Sequence, residues 1–163
     1  MQVFIANIDS ISKNCDAFLA CLAPECQLRA SKFQNQTRKL QFILGHLMAD
    51  KIGKKFISIA HKDKMVVVAT ASNAMVGVDI ENTTIKRDFV EMSKMMNFKI
   101  PKSQNEFYES FTEYEATYKL GIQPACVRFI DFGDYLICVA ANKDFVAPHL
   151  SKFNVDSFSK KHQ

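Results

Sequence analysis

The run IGKKFISIAHKDKMVVVATASNAMVGVDIE, residues 52–81, constrains the fold more than any other part of the chain. Aliphatic and β-branched residues fill three short segments of it, near residues 56–61, 65–71 and 75–81. Polar KDK and SNA turns separate these segments, a pattern that is typical of consecutive strands. We therefore expect a meander of three strands in the middle of the chain.

Helical patterns lie on both sides of these strands. Asn35 is the expected N-cap of a helix with a basic first half. The apolar residues of this helix recur at helical spacing: Leu40, Ile43, Leu44, Leu47 and Met48. Ser103 and Glu106 form a capping box that opens a second long helix, which Gly121 is expected to close. Its expected buried stripe comprises Phe107, Phe111, Tyr114 and Tyr118.

The remaining segments complete an α+β protein. Alternating apolar residues predict further strands near residues 2–8, 125–132 and 134–141, the last two joined by a tight turn at Gly133. A shorter helical segment is expected near residues 84–96. Since 163 residues can form one core or two small lobes that share one, length alone leaves the number of lobes open.

Composition limits the classes of function. The net charge of +4 is too small to indicate a nucleic-acid-binding protein by itself, although it suits an anionic ligand or an acidic partner. The N-terminal segment lacks the pattern of a signal peptide, and no apolar segment approaches the roughly 20 residues that span a membrane. Five cysteines without a C-x-x-C pair favour free thiols in a reducing compartment. We therefore expect a cytoplasmic protein.

The segment AMVGVDIEN places two acids, Asp79 and Glu81, on one face of an apolar strand, because side chains alternate along a strand. An exposed strand face would simply solvate them. If the face is buried, two like charges require a compensating cation, and Mg²⁺ or Mn²⁺ is the ion that carboxylates and phosphate oxygens bind together. A third ligand is then expected elsewhere in the chain.

Three more residues are candidates for the same site. Glu115 and Lys119 lie one turn apart on the second long helix, either as part of a site or as an ordinary surface ion pair. His61 ends the first strand of the expected meander, and a lone histidine is more often structural than functional. His61, the two acids of the strand, and then Glu115 and Lys119 follow one another along the chain. Together they support a functional site more strongly than any one of them does alone.

The motif VGVDIE, followed 35 residues later by FTEYEATYK, resembles the 4'-phosphopantetheinyl transferases, whose pattern is [IV]-G-[IV]-D-x-E and then [FW]-[ST]-x-K-E-[AS]-x-x-K. Upstream, SIAHKDKMVVVA is similar to the family's N-x-S-H-S strand, IGKK to its G-K-P, and RKLQFILGHLM to its basic helix. The resemblance covers about residues 28–141. It is nearest to the two-lobed surfactin-synthetase-activating type of the family.

This resemblance implies a fold of two pseudo-symmetric lobes, residues 1–74 and 75–163, each with a small antiparallel sheet and a long helix. It implies transfer of the 4'-phosphopantetheine arm of coenzyme A to a serine of an apo carrier protein, with release of 3',5'-ADP. It also implies roles for the candidate residues. Metal ligands would be Asp79, Glu81 and Glu115; the base would be Glu115; contacts to coenzyme A would come from Arg38, Lys54, His61 and Lys119.

The implied partners are coenzyme A, Mg²⁺ or Mn²⁺, and an acidic carrier protein of fatty acid, polyketide or peptide synthesis. Lys62, Lys86 and Arg87 are candidates for docking that carrier, or they are solvated surface charges. One chain with two lobes can complete the site, so a monomer is expected, with no nucleic acid or membrane as partner.

Three departures from the family pattern leave alternatives open. Tyr114 replaces a lysine, Gln41 an arginine and Ala60 a serine. These changes keep the acidic residues but remove contacts to coenzyme A. A non-catalytic protein that binds coenzyme A or a carrier is the first alternative, and a hydrolase of another phosphate ester or anhydride is the second.

Overall fold

The computed structural model describes residues 1–156 and 158. The helices are α1 (Asp9–Ser12), α2 (Cys15–Ala20), α3 (Pro24–Ser31), α4 (Gln36–Ile52), α5 (Phe89–Met95) and α6 (Gln104–Leu120). The strands are β1 (Gln2–Asn7), β2 (Phe56–Lys62), β3 (Met65–Ala71), β4 (Val76–Asn82), β5 (Cys126–Phe132), β6 (Tyr135–Ala141) and β7 (His149–Lys152). The six strands expected from the sequence are confirmed within one residue at each end, and both long helices begin at their predicted caps, Asn35 and Ser103.

The chain is an α+β protein with two small sheets, in the orders β2-β3-β1-β7 and β4-β6-β5. All neighbouring strands are antiparallel except β7, which runs parallel to β1. The two sheets repeat one topology. In each, a strand is followed by a 17-residue helix and then by a hairpin whose second strand pairs with the first strand. The sequence contains no close repeat that would reveal this.

The expected three-strand meander is wrong in its third strand. β2 and β3 form a hairpin as predicted, but β4 pairs with β6 in the other sheet. The reason is that β3 already has β2 on one edge and β1 on the other, so neither edge is available to β4. The free edge of β4 instead faces β2, where the Val78 amide donates to Ser58 Oγ at 3.1 Å.

A shared apolar core joins the two sheets. It contains Val3 and Ile5 from β1, Val67 from β3, and Val78 and Ile80 from β4, all essentially inaccessible to solvent. The opposite face of the first sheet packs against α4, and the opposite face of the second packs against α6. The molecule is therefore layered as helix, sheet, sheet and helix, and the sheets meet along β2 and β4.

The predicted division at residues 74 and 75 separates β1–β3 from β4–β6. The structure departs from that division in one respect, because β7 returns from the end of the chain and adds to β1. Within the described part of the chain, every helix is too short or too polar to cross a bilayer.

The expected buried stripe of α6 is partly wrong. Phe107 is buried as predicted, but Tyr114 and Tyr118 are 46% and 75% exposed. The buried face instead includes residues at intervals of four, with small side chains at its centre: Tyr108, Thr112, Ala116 and Leu120. Small side chains allow close approach of the helix to β4, while the outer tyrosines lie on its solvent side.

Candidate functional site

The acids of β4 lie between the strand and α6. Asp79 and Glu81 are each only 8% exposed, and they share the helix-facing side of β4 with Gly77. A Cβ on Gly77 would collide with the backbone carbonyl of Ala116 and would lie 2.8 Å from the backbone nitrogen of Leu120. Glycine at this position therefore allows the helix to approach the strand, and this approach places α6 side chains beside the acids.

Lys119 is the partner of Asp79. Its Nζ lies 2.8 Å from Asp79 Oδ1 and 3.1 Å from the Val78 carbonyl oxygen. Burial raises the pKa of Asp79 to about 6; the Lys119 ammonium opposes this shift, and the charges of Glu81 and Glu115 add to it. Among the described residues, Asp79 Oδ2 has no hydrogen-bond partner although it is buried. One oxygen of this carboxylate therefore has no hydrogen-bond partner from the described part of the protein.

Two cations of the protein hold Glu81. Lys62 Nζ, at the end of β2, lies 2.6 Å from Glu81 Oε2, and Arg87 Nη2 lies 3.1 Å from the same oxygen. Arg87 is also held over the rings of Tyr108 and Phe111, each centroid 5.7 Å from its guanidinium carbon. Glu81 is therefore paired from both lobes.

Glu115 lies half-buried on α6, close enough for its charge to raise the pKa of Asp79. The expected surface pair of Glu115 with Lys119 is replaced by the pair of Lys119 with Asp79. Within residues 1–156 and 158, no group of three or more His, Cys, Asp and Glu side chains is arranged to hold a metal ion. The three predicted metal ligands therefore do not form such a group as they stand; Asp79 pairs with Lys119, and Glu81 pairs with Lys62 and Arg87.

His61 and Arg38 meet at the α4 side of the same seam. Arg38 Nη1 lies 2.9 Å from both ring nitrogens of His61, Nδ1 and Nε2, and burial together with the Arg38 charge lowers the pKa of His61. The neutral imidazole can accept a hydrogen bond from Arg38 through the ring nitrogen that carries no proton. Gln41 accepts from Arg38 at 3.2 Å and donates to the Asp63 carbonyl oxygen, so it orients the guanidinium.

A cavity of about 290 Å³ opens beside this pair. Its walls carry cationic, aromatic and polar side chains: Arg29, Phe33, Arg38, Gln41, Phe42, His46, Ile59 and His61. Arg29 lies over the Phe42 ring at 5.1 Å, and the Phe42 and His46 rings are 4.0 Å apart. Such walls suit a ligand that combines a flat ring with phosphate groups.

The structure brings together six of the seven predicted site residues. Lys119 connects the two groups, because it pairs with Asp79 and its charge also lowers the pKa of His61. Lys54 does not join them. It follows the C-terminal end of α4, whose last residue, Ile52, lies about 21 Å along the helix axis from Arg38, and it is exposed to solvent.

The departures from the family pattern lie in three different environments. Ala60 is buried in the core shared by the sheets, and Gln41 supports Arg38. Tyr114 packs against Phe98 on the outer side of α6, with ring centroids 5.2 Å apart. Of the basic residues considered for carrier docking, Lys62 and Arg87 turn inward to Glu81, whereas Lys86 is exposed.

Neither the position of Arg29 in the cavity nor the pairing of Lys62 and Arg87 with Glu81 was predicted from the sequence. Arg29 belongs to a separate helix, α3, and only tertiary packing brings it to Arg38. Lys62 had one usable signal, since it follows His61 and the N-x-S-H-S pattern has a serine there. No family model and no curated protein matches the chain. Its own residues and their geometry therefore carry the case for a function.

Proposed function

We propose that the chain is a 4'-phosphopantetheinyl transferase of the two-lobed type, acting on coenzyme A and an apo carrier protein. The serine oxygen of the carrier forms a new bond to the phosphorus that bears the pantetheine arm. The phosphoanhydride bond breaks, and its electron pair leaves on the phosphate of 3',5'-ADP. The serine proton passes to a base of the enzyme.

One observation carries this proposal: a buried acidic group and a cationic, aromatic cavity lie at the same seam between the lobes. Lys62 and His61 are adjacent in β2, yet Lys62 contacts Glu81 and His61 lines the cavity. Neighbouring side chains of a strand lie on opposite faces, so the link between the cavity and the acids is Lys119, which pairs with Asp79 and whose charge also acts on His61. A nucleotide in the cavity would direct its phosphates past His61 towards Asp79. Coenzyme A has this arrangement, with a purine at one end and a phosphoanhydride next to it.

The acidic residues fit a divalent cation in part. Asp79 has one buried carboxylate oxygen without a partner among the described residues. Glu81 and Glu115 are close enough for their charges to raise the pKa of Asp79. Asp79, Glu81 and Glu115 would hold Mg²⁺ or Mn²⁺. When bound, the cation would neutralise the charge of the phosphoanhydride as its bond breaks.

The other residues bind, orient and move the proton. Glu115, half-buried on α6, would take the serine proton. Lys119 lies within reach of both Asp79 and the His61 side of the seam, so its ammonium would stabilise the phosphate of the leaving 3',5'-ADP. Arg38 and His61, aligned by Gln41, would donate hydrogen bonds to phosphate oxygens.

The carrier protein would reach this seam from its open side. Lys86 is the exposed basic residue next to Arg87 and suits an acidic carrier surface. Both lobes of one chain contribute to the site, so a single copy suffices. The compartment proposed is the cytoplasm, where coenzyme A and carrier proteins are both present.

Mass spectrometry of an apo carrier incubated with the protein, coenzyme A and Mg²⁺ tests the proposal. The parent should add the mass of the arm, and Asp79→Ala should lower the rate by about 10³-fold, because it removes a ligand of the charge-neutralising cation. Glu113→Ala is the matched control, since it removes one exposed acid from α6 and should retain the parent rate. Equal rates for the parent and Asp79→Ala would exclude the assigned site.

One observation favours a second candidate, a non-catalytic protein that binds coenzyme A or a carrier. Asp79 and Glu81 are already paired with Lys119, Lys62 and Arg87, and such pairing can be permanent in a protein that needs no metal. The same assay separates the candidates. A non-catalytic protein would add no mass to any apo carrier, while coenzyme A would still raise its melting temperature by mass action.

A further inference from the structure

Glu81, a predicted metal ligand, is paired with two cations of the protein, and a metal ion would have to compete with both of them. Lys62 and Arg87 both meet the same oxygen, Glu81 Oε2. Their side chains are only 19% and 22% exposed, so the triplet is largely shielded from water. Screening is weak at such a site, and each charge therefore acts strongly on the others.

Each cation is positioned by contacts that do not involve Glu81. Arg87 is stacked over Tyr108 and Phe111. Lys62 is fixed at the end of β2, where the hairpin continues to Asp63, and Asp63 Oδ2 accepts from Asn82 Nδ2 at 2.8 Å. Each lobe thus contributes one cation to the same oxygen of Glu81.

The charges of the cluster balance without any ligand. It contains three carboxylates and three cations: Asp79, Glu81, Glu115, Lys62, Arg87 and Lys119. A divalent cation alone would leave the cluster with two excess positive charges. A phosphoanhydride, which brings about two negative charges, would restore the balance.

We infer that Lys62 and Arg87 are exchangeable counter-ions of Glu81, which a divalent cation must displace and which then pair with the phosphate groups of the substrate. The inference rests on the proposed function for the identity of that phosphate group. It makes the metal and the phosphoanhydride bind cooperatively, since each supplies the charge that the other requires. Metal alone binds weakly, because it must compete with two cations held at one oxygen.

Titration of Mn²⁺ alone tests this competition, with free Mn²⁺ followed by electron paramagnetic resonance. Lys62→Met removes one competing charge and should bind Mn²⁺ about tenfold more tightly than the parent. Lys62→Arg keeps the charge and should restore the parent affinity. Arg87→Met should shift the affinity in the same direction as Lys62→Met, which provides a second variant if one of them folds poorly by circular dichroism.

Lys64→Met is the matched control. Lys64 lies two residues further on, is 62% exposed, and pairs with Asp9 at 3.0 Å rather than with Glu81. Lys64→Met changes the net charge by the same amount as Lys62→Met. Its Mn²⁺ affinity should stay within about twofold of the parent value. The double variant Lys62→Met, Glu81→Gln should not bind Mn²⁺ more tightly than the parent, because the carboxylate that Lys62→Met frees for the metal is then missing.

The inference is overturned if Lys62→Met binds Mn²⁺ no more tightly than the parent, or if Lys64→Met gains as much. These outcomes are separate from those of the transfer assay, because no carrier protein or transfer is involved. If the protein modifies no carrier but Lys62→Met binds Mn²⁺ more tightly, the counter-ion exchange stands and the proposed transferase activity fails. If the protein modifies a carrier but Lys62→Met shows no gain in Mn²⁺ affinity, the transferase activity stands and the counter-ion exchange fails.

Discussion

The two lobes have one topology but use the helix-facing side of their first strands differently. Through the strand registers, Phe4 of β1 occupies the position that Asp79 has in β4, and Ala6 occupies that of Glu81. Phe4 and Ala6 belong to the apolar cluster under α4. The first lobe therefore has a core where the second lobe has charges, which is the difference expected if the second lobe carries the proposed site.

The two long helices show the same contrast. Each ends at a glycine with positive φ, Gly53 or Gly121, and six residues earlier the first helix has Leu47 whereas the second has Glu115. Leu47 is buried in its lobe's core, and Glu115 is half-buried next to Asp79. The lobe with acids buries less apolar surface under its helix, because polar side chains replace apolar ones at equivalent places.

The largest expected difference between the lobes concerns their two close-packed glycines. Gly77→Ala should destabilise the protein by about 4 kcal/mol or more, because the new Cβ meets backbone atoms of α6 that cannot move separately from the helix. Gly45→Ala meets the Cγ2 methyl of Ile59 at 2.8 Å, a side-chain atom that must shift, but no backbone atom at such a short distance. Gly45→Ala should therefore cost only about 1 to 2 kcal/mol, partly offset because alanine favours the helix.

Urea denaturation of both variants measures this difference directly. Equal losses of stability would mean that α6 is not held against β4 as the structure describes. A transfer assay adds a second readout, because displacement of α6 by Gly77→Ala would also move Lys119 away from Asp79.

The next difference compares Leu47 with Glu115. Leu47→Ala should cost about 3 kcal/mol, because it leaves a cavity in a fully buried cluster. Glu115→Ala should cost less than about 1 kcal/mol, since it removes a half-buried charge that raises the pKa of Asp79. Thermal unfolding of the two variants in one buffer checks the difference, and similar losses would show that the second lobe relies on Glu115 for packing.

The smallest expected effect is the pH dependence that Asp79 gives to stability. Burial raises its pKa from the ordinary value of 3.8 to about 6, so the folded protein holds this proton more tightly than the unfolded chain does. The contribution of Asp79 to stability is therefore greatest below pH 4 and is lost as the pH rises to about 6. Without metal, Asp79→Asn should raise the free energy of unfolding at pH 7 by about 2 kcal/mol, because asparagine is neutral at every pH. The shift of the Asp79 pKa from 3.8 to about 6 limits this gain to about 3 kcal/mol.

The measurement is the difference in the free energy of unfolding between parent and Asp79→Asn from pH 4 to pH 7, with a chelator present. The difference should grow with pH and then level off above about 6. A constant difference would show that Asp79 is ionised over the whole range in the folded protein.

Much of the secondary structure was predictable, because it depends on local signals. The caps at Asn35 and Ser103, the glycine ends of the helices and the alternation in the strands are all encoded within a few residues. The acids on one face of β4 and the inward position of Lys119 also follow from such spacing. These local signals placed the candidate residues on their strands and helices, whereas the resemblance to a family was needed to group them into one candidate site.

The rest depended on contacts between distant segments. Which sheet β4 joins is decided by β1, which occupies the second edge of β3. The stripe of α6 was misread because aromatic residues at helical spacing favour a buried face, whereas close approach to Gly77 requires small ones such as Ala116. Arg29 and Lys54 also show that local sequence signals do not determine tertiary position. The packing of α3 brings Arg29 to the cavity, whereas Lys54 lies beyond the far end of α4.

The pairing of β7 with β1 has a consequence for the order of folding. Residues 2–5 are synthesised well before residues 149–152, yet they are neighbours in one sheet. Until β7 arrives, the outer edge of β1 is an open strand edge that can pair with another chain. A nascent chain can build the β2–β3 hairpin earlier, but its first sheet is completed only after residues 149–152 have been synthesised.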